Sequence, residues 1–256
     1  MKASIVPRIL YPVAGAALLV AVWHFSVVQF RLPYVLLPSP MQVLDAAIDQ
    51  RAVLLSQGWV TLKECLYGFA LAFALGVPIA VAVAGSRVLN LMFSPLLIAM
   101  QSVPKVALAP MVLVWAGTGI ESKLVIAWLV AFFPIVVDTA AGLRATPREL
   151  LELAHSLRAS RWQTFAKVQF PAAVPFVMAG SKVAVTLAVI GAVIGEFVGS
   201  NEGLGNLLLV ANSQMSTALA FAALFALAAL GIALYGAVAL LERALDAWSG
   251  EPPLLH

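Results

Sequence analysis

Six long apolar stretches, separated by polar segments, dominate the hydrophobic pattern of the chain. Each can cross the hydrocarbon core of a bilayer, because about 20 helical residues span about 30 Å. The predicted spans are Ile9–Phe30, Leu62–Ala84, Leu89–Trp115, Leu124–Leu143, Ala172–Val198 and Thr217–Leu241. The first apolar run is longer than the about 7–15 residues of a signal-peptide core, so we expect it to be an uncleaved span. The pattern predicts an all-α membrane protein of about six transmembrane helices, with residues 1–256 forming one transmembrane domain.

Composition supports this assignment and excludes several classes of soluble protein. Of the 256 residues, 62% are hydrophobic and 11% are charged, whereas soluble domains carry about 25% charged residues. The net charge is only +3 and the basic residues are scattered, which argues against a nucleic-acid partner. Cys65 is the only cysteine, so no intrachain disulfide is expected, and we interpret it as a small packing residue.

Lysine and arginine positions predict the orientation. With a cytoplasmic N-terminus and six alternating spans, the basic residues on the cytoplasmic side are Lys2, Arg8, Arg87, Arg144, Arg148, Arg158, Arg161, Lys167 and Arg243. Those on the outside are Arg31, Arg51, Lys63 and Lys123. The positive-inside rule therefore favours a multi-pass protein with both termini in the cytoplasm.

The polar segment at about residues 38–56, between the first two spans, has the signals of a helix start. Ser39 suits an N-cap and Pro40 suits the first helical position. One face would be apolar and the other would carry Asp45 and Asp49. Two interpretations remain open: an amphipathic helix lying on the outer membrane surface, or a connecting helix packed on its neighbours.

The loop 144–170, between the fourth and fifth spans, contains two helix-start signals. Thr146–Glu149 and Ser160–Gln163 both have the capping-box pattern. They predict two short helices joined by a sharp turn near Arg158 and Ala159. Both helices would have an apolar face, which indicates a surface that docks a partner.

Within this loop, residues 152–171 resemble the EAA loop of binding-protein-dependent ABC transporter permeases. The matching positions are Glu152, Ala154, Phe165, Val168 and Pro171. Leu153 replaces a family alanine, and Arg158 stands where the family glycine is expected at the turn. The resemblance implies that loop 144–170 is a coupling loop, in which the residues involved in ATPase coupling are Glu152, Ala154, Arg158, Ser160, Phe165 and Pro171. It further implies that Glu152 contacts the ATPase directly.

The resemblance covers nearly the whole chain and points to one branch of the family. Residues 101–110, 195–199 and 202–205 resemble permeases for taurine, alkanesulfonates, nitrate and thiamine-precursor pyrimidines. This implies the type I ABC importer fold, located in the bacterial cytoplasmic (inner) membrane. The implied partners are a second permease chain, most simply in a homodimer, two copies of a cytoplasmic ATPase and an external solute-binding protein. ATP and Mg²⁺ would be bound by the ATPase, and this chain would carry no cofactor and no catalytic residues.

Motif absences agree with a non-catalytic subunit. The sequence contains no Gly-x-x-x-x-Gly-Lys-[Ser/Thr] phosphate-binding loop, no Gly-x-Ser-x-Gly elbow and no His-Glu-x-x-His pair. The three histidines are isolated, so no metal site is expected; they are His24, His155 and His256.

Charged residues inside the predicted spans mark candidate positions on a solute pathway. An intramembrane charge costs about 2.5–3.5 kcal/mol to insert at the helix centre, so it should face protein or water. Lys182 and Asp138 lie at similar predicted depth and are candidates for an ion pair. Lys105 lies between Pro104 and Pro110, which predict a broken helix. Broken helices often line translocation routes, so Lys105, together with Gln101, is a pathway candidate, the alternative being that the lysine only holds the bent segment.

The fifth predicted span has small residues at every fourth position, in two rows. The first row is Gly180, Ala184, Ala188 and Ala192, and the second is Gly191, Gly195 and Gly199. Such rows allow close helix approach, either within one chain or between two permease chains around the pathway. The second alternative makes Thr186, Gly191 and Glu196 candidate lining residues.

The sequence thus predicts a permease that moves a small organic solute inward by alternating access. Residues 199–241 resemble the pyrimidine and thiamine-precursor permeases slightly more than the sulfonate ones, which implies a pyrimidine thiamine precursor rather than a sulfonate, taurine or nitrate. An ATP-independent secondary transporter or channel is the alternative class, although it leaves the doubly capped loop unexplained.

Overall fold

The computed structural model describes the backbone of residues 5–249 and the side chains of residues 10–245, and Lys2 and His256 lie outside these bounds. The α-helices are α1 Ile5–Gln29, α2 Pro40–Asp49, α3 Arg51–Gly85, α4 Arg87–Gln101, α5 Ala109–Ala116, α6 Ile120–Arg144, α7 Arg148–Ser156, α8 Arg161–Thr164, α9 Phe170–Gly199, α10 Leu204–Ser213 and α11 Thr217–Ser249. A 3₁₀ turn, Lys105–Leu108, precedes α5, and a π-helical turn, Phe165–Gln169, joins α8 to α9.

Five of the described helices are long and apolar enough to cross a membrane, and a bent helix pair supplies a sixth candidate span. The bent pair corrects the third predicted span. Leu89–Trp115 is two helical segments, α4 and the 3₁₀ turn with α5, which meet at an angle of 87°. Pro104 lies at the break and cannot donate a backbone hydrogen bond, which explains why the helix cannot continue.

The N-terminal part of the chain follows the capping signals. Ser39 caps α2 as predicted, and the structure adds a capping box in which the Gln42 side chain accepts from the Ser39 amide. The predicted segment 38–56 is too long, because the helix ends at Asp49 and α3 begins at Arg51. In α2, Val43 is buried against the protein whereas Leu44 is half exposed. Trp23 anchors α1 by donating to the Pro38 carbonyl at 3.1 Å.

Helix α6 lies between α3 and α9 and forms the core of the molecule with them. Ala127 on α6 is close enough to both Gly68 on α3 and Gly191 on α9 that a Cβ at either glycine would collide with it. Farther along, Gly180 on α9 packs directly against Asp138. The small-residue rows therefore serve contacts within one chain, the first of the two alternatives, because glycine allows the helix backbones to approach closely.

Three ionisable side chains are buried at the end of this three-helix core opposite loop 144–170. Glu64 on α3 is 0% exposed and forms an ion pair with Lys123 on α6, in which Lys123 Nζ and Glu64 Oε1 are 3.2 Å apart. Glu196 on α9 is 1% exposed. We call Glu64, Lys123 and Glu196 the buried charge cluster. It corrects the expectation that Lys123 is an external loop charge, since its side chain points into the bundle and pairs there.

Glu196 ties the turn between α9 and α10 to α3. Its carboxylate accepts from the Thr61 hydroxyl at 2.6 Å and from the Gly205 amide. The Thr61 oxygen in turn accepts from the Leu204 amide at 2.9 Å. A Cβ at Gly203, whose φ is +101°, would collide with the Glu196 carboxylate. One buried carboxylate therefore holds three chain segments in register.

We predict that Lys123→Met destabilises the protein by about 3–5 kcal/mol, because the Glu64 carboxylate then stays buried without its counter-charge. Thermal unfolding of the purified protein in detergent measures this. The double variant Glu64→Gln/Lys123→Met should recover most of the loss. Lys63→Met is the matched control, since Lys63 is next to Glu64 and forms no ion pair within the described residues. Equal unfolding temperatures for Lys123→Met and Lys63→Met would contradict the prediction.

Candidate functional site

The coupling loop folds as the capping signals indicate in its second half. Ser160 caps α8 with a complete capping box, accepting from the Gln163 amide while the Gln163 side chain accepts from the Ser160 amide. α7 begins at Arg148, one residue after the start at Pro147 that a Thr146 cap predicts, and Thr146 does not cap it. The Thr146 hydroxyl donates back to the Leu143 carbonyl at 3.1 Å, so the first capping box is wrong.

The second predicted short helix is not a separate element. α8, the π-helical turn and α9 form one helical segment from Arg161 to Gly199, 39 residues long. At 1.5 Å per residue this is about 58 Å. Pro171 lies directly after the π-helical turn, in the first turn of α9. The loop is therefore continuous with a helix that reaches the buried charge cluster at the opposite end.

Arg158 forms the sharp turn between α7 and α8. Its φ is +53°, in the left-handed region that glycine adopts at the least cost. The amide of Ala159 donates to the Ala154 carbonyl at 3.0 Å and closes the turn. The turn thus has the left-handed backbone expected at this position, although an arginine occupies it.

The outer face of the coupling loop is apolar and exposed. Leu153 is 55%, Leu157 74% and Trp162 72% exposed. Leu153 and Leu157 line a groove of about 310 Å³ together with neighbouring residues of the loop. The Trp162 ring packs against Phe165, with ring centroids 5.7 Å apart. Exposed side chains of this size on a capped helical turn form a surface suited to a protein partner.

The predicted coupling residues divide into exposed and internal ones. Glu152, Arg158, Ser160 and Pro171 are exposed, whereas Phe165 is half-buried. Ala154 is 6% exposed, and so it packs inside the loop rather than on its outer face. That these residues contact an ATPase stays a prediction.

The bend of the broken helix forms a second candidate site, which we call the broken-helix groove. It has a volume of about 270 Å³. The residues that line it are Gln101, Lys105, Val130, Phe133, Pro134, Val137, Asp138 and Leu187. The structure thus brings together two pathway candidates, Gln101 and Lys105, and adds Asp138 from α6. The ammonium of Lys105 lies 5.1 Å from the centroid of the Phe133 ring.

Lys182 does not pair with Asp138, which corrects the sequence hypothesis. Its ammonium contacts both carboxylate oxygens of Glu242 on α11, at 2.9 and 2.7 Å. Similar predicted depth does not decide which side chains meet, because that depends on their direction around each helix axis. Gly180 places α9 against Asp138 without supplying a polar group.

The three pathway candidates on α9 lie elsewhere. Gly191 is buried against Ala127, and Glu196 belongs to the buried charge cluster, so neither lines an open surface in this chain. Thr186 is half-buried and its hydroxyl donates to the Val183 carbonyl of its own helix at 2.8 Å. These placements do not support a lining role for Gly191 and Glu196.

Sequence reasoning missed Glu64 and Glu242. Glu64 stands inside the apolar run of the second span, which was a usable signal, because an intramembrane carboxylate needs a partner. Within the part of the chain that the structure describes, no group of three or more His, Cys, Asp or Glu side chains is arranged to hold a metal ion.

Comparisons with known proteins match most of the chain. The family model described as binding-protein-dependent transport system inner membrane component matches residues 72–247. The chain is 37% identical to the riboflavin transport system permease protein RibX of Chloroflexus aurantiacus, over 91% of this chain and 88% of that protein. It is 35% identical to the formylaminopyrimidine transport permease protein ThiX of Halalkalibacterium halodurans, over 93% and 96%.

A more distant relative and a solved structure complete the comparison. The putative aliphatic sulfonates transport permease protein SsuC of Bacillus subtilis is 29% identical, over 91% of this chain and 85% of that protein. A chain of the MetNI methionine ABC transporter in an inward-facing conformation superimposes with a TM-score of 0.67 and 22% identity, covering 77% of this chain and 98% of that one. The predicted type I importer permease fold is thereby confirmed.

We predict that Arg158→Gly stabilises the coupling loop by about 1 kcal/mol, because glycine adopts a positive φ without the penalty that a Cβ causes. Hydrogen–deuterium exchange of the turn amides should slow about fivefold if their exchange follows opening of the turn. His155→Gly, in the last turn of α7, is the control of opposite sign, since glycine is a poorer helix former than other residues by up to about 1 kcal/mol. Unchanged or faster exchange in Arg158→Gly would show that the arginine side chain stabilises the turn.

Proposed function

The chain belongs to the family of binding-protein-dependent transport system inner membrane components and is a multi-pass permease subunit of an ABC importer, and we propose that it moves a small organic solute, delivered by a binding protein, into the cytoplasm by alternating access. The observation that carries the proposal is the coupling loop, a capped turn that exposes an apolar surface at one end of the bundle.

The coupling loop is the docking surface for a cytoplasmic ATPase. Trp162, Leu153 and Leu157 are exposed at an end of the bundle that carries many basic residues, as cytoplasmic surfaces do. A water-exposed apolar surface of this kind is stabilised when a partner covers it. Glu152, exposed beside Leu153, supplies a charge for recognition at the same surface.

ATP and Mg²⁺ bind to the partner, and the chain itself is a non-catalytic subunit. Its sequence lacks the phosphate-binding loop that would hold a nucleotide. The driving force is the difference in affinity of the nucleotide-bound ATPase for the two states of the permease, because a partner shifts an equilibrium only by that difference.

Movement of the coupling loop reaches the far side of the membrane through α9. The helical segment from Arg161 to Gly199 leaves no flexible linker between the docking surface and the buried charge cluster. The π-helical turn Phe165–Gln169 is the exception to regular α-helix in this segment, and π-turns are frequent at functional sites. Rocking of α9 with α6 opens the pathway alternately to each side.

The working assembly contains two copies of this chain, two ATPase copies and one external binding protein. Each copy has a single coupling loop and therefore seats one ATPase. The protein lies in the bacterial inner membrane with both termini in the cytoplasm, as the distribution of lysine and arginine favours. The binding protein docks at the opposite end, near α2 and α10.

The solute we favour is a pyrimidine precursor of thiamine. The relatives named for riboflavin and formylaminopyrimidine transport are 37% and 35% identical, against 29% for the one named for aliphatic sulfonates, which supports a heterocyclic solute over a sulfonate. A sulfonate, taurine or nitrate is the alternative solute. An ATP-independent transporter or channel is the alternative class, and it offers no role for the exposed coupling loop.

We predict that the chain co-purifies with a stoichiometric ATPase encoded beside it, and that Leu153→Ser/Trp162→Ser reduces the recovered ATPase at least about tenfold. Loss of two buried apolar contacts, each worth about 1.5–3 kcal/mol, is the physical reason. Glu152→Ala should weaken binding less. Quantitative gel analysis after gentle detergent extraction measures the ratio.

Glu121→Ala, at an exposed position at the opposite end of α6, is the matched control and should retain the ATPase. Equal recovery of ATPase with the wild-type and the Leu153→Ser/Trp162→Ser loop would exclude the coupling loop as the docking surface.

A further inference from the structure

The broken-helix groove is lined by two opposite charges that do not form an ion pair with each other. Lys105 comes from the 3₁₀ turn after the break, and Asp138 comes from α6. Both are half-buried, and no ion pair joins them within 4.0 Å. Two such charges at intramembrane depth need water, protein or a solute to solvate them.

Lys105 keeps its hydrogen-bonding capacity free. The Phe133 ring lies 5.1 Å from its ammonium and holds it in place by a cation–π interaction. An ammonium has three N–H donors. The aromatic ring offers no oxygen acceptor, so all three donors stay available for a solute. Within the described residues, Lys105 donates no hydrogen bond to the protein.

Asp138 is equally available. No hydrogen bond or ion pair to its carboxylate occurs in the described part of the chain. Lys182, the partner that the sequence predicts for Asp138, pairs with Glu242 instead. Gly180 packs against Asp138 from the other side. The free side of the carboxylate therefore faces the groove.

We propose that the broken-helix groove is a solute-binding site for a small bipolar solute. Lys105 binds its anionic or carbonyl group, Asp138 binds its cationic or amino group, and the amide of Gln101 supplies both a donor and an acceptor. The proposal rests on the proposed function and adds the solute class. A groove of about 270 Å³ lies just below the about 300–1,000 Å³ of pockets for drug-sized ligands, so it suits a one-ring or smaller solute.

The charge pattern also predicts which solutes the site rejects. A simple monoanion, such as an alkanesulfonate, pairs with Lys105 but leaves the half-buried Asp138 carboxylate without a donor. The two negative charges also repel each other, which weakens binding of the monoanion. An aminopyrimidine or a zwitterion satisfies both side chains.

The test uses the complete importer, with the partner ATPase and binding protein encoded beside this chain, in lipid vesicles. Uptake is measured for four radiolabelled probes: formylaminopyrimidine, taurine, riboflavin and methanesulfonate. The variants are Lys105→Met and Asp138→Asn, and Lys63→Met and Glu121→Gln are the controls outside the groove. ATP hydrolysis stimulated by the binding protein is measured in parallel.

We expect the wild type to accumulate formylaminopyrimidine or taurine in preference to riboflavin and methanesulfonate. Lys105→Met and Asp138→Asn should each reduce that uptake at least about tenfold, because each variant loses a charge-assisted hydrogen bond to the solute. Lys63→Met and Glu121→Gln should keep wild-type uptake and wild-type ATP hydrolysis. Asp138→Asn should also lower the preference for bipolar solutes over methanesulfonate, a change that mere misfolding does not produce.

Three results would overturn the proposal. They are wild-type uptake in both groove variants, preferential uptake of methanesulfonate or riboflavin, and accumulation of no probe by a wild-type complex that hydrolyses ATP normally. Failure of the wild-type chain to assemble with an ATPase is a different result, since it contradicts the proposed function and not the chemistry of the groove.

A second measurement does not depend on transport. Cys65 is 0% exposed and unreactive by burial, so Asp138→Cys introduces a single accessible thiol. With Lys105 still present, this thiol should react about tenfold faster with an anionic than with a cationic thiol reagent, and Lys105→Met should abolish the preference. Equal rates with both reagents would show that Lys105 does not face Asp138 across a water-filled groove.

Discussion

Burial of Glu64, Lys123 and Glu196 at one end of the α3–α6–α9 core is the constraint on which the rest of the structure depends. Charges at this depth are stable only when each has a partner, and their partners lie on three different helices and on the turn before α10. The cluster therefore fixes the mutual rotation of the three helices at that end. The small residues of α3 and α9, packed on both sides of α6, extend the same arrangement toward the other end.

In the proposed mechanism, movement enters the bundle at the opposite end, where the coupling loop connects α6 to α9. Force applied to the loop would act on both helices, and both pass the broken-helix groove. Asp138 on α6, Leu187 on α9 and Lys105 after the break would shift relative to one another if the helices rock. In this account, α6 and α9 connect the docking surface, the broken-helix groove and the buried charge cluster, so that movement at the loop changes the groove.

Much of the fold was predictable because a membrane span is a local property of sequence. The Ser39–Pro40 pair and the spacing of Ser160 and Gln163 indicate two helix caps, and Pro104 indicates the break. The glycine position of the family pattern indicates a left-handed turn at Arg158. The buried charge cluster was not predictable, since Glu64, Lys123 and Glu196 are far apart in the sequence and no local pattern states which helices are neighbours. The same reason explains why Lys182 was paired with Asp138 instead of Glu242: depth follows from sequence position, but the direction of a side chain around the helix axis depends on packing. Small-residue rows on α9 indicated close contact, and only the structure showed that the contact is with α6 of the same chain.

The most direct test of the account is solute uptake by vesicles that contain the chain, its partner ATPase and its binding protein, with ATP or a non-hydrolysable analogue on the ATPase side. The account predicts accumulation against a gradient that requires ATP hydrolysis and stops when either partner is omitted. Uptake by the purified chain alone, down a solute or ion gradient and unaffected by ATP, would contradict it and identify the protein as an autonomous transporter.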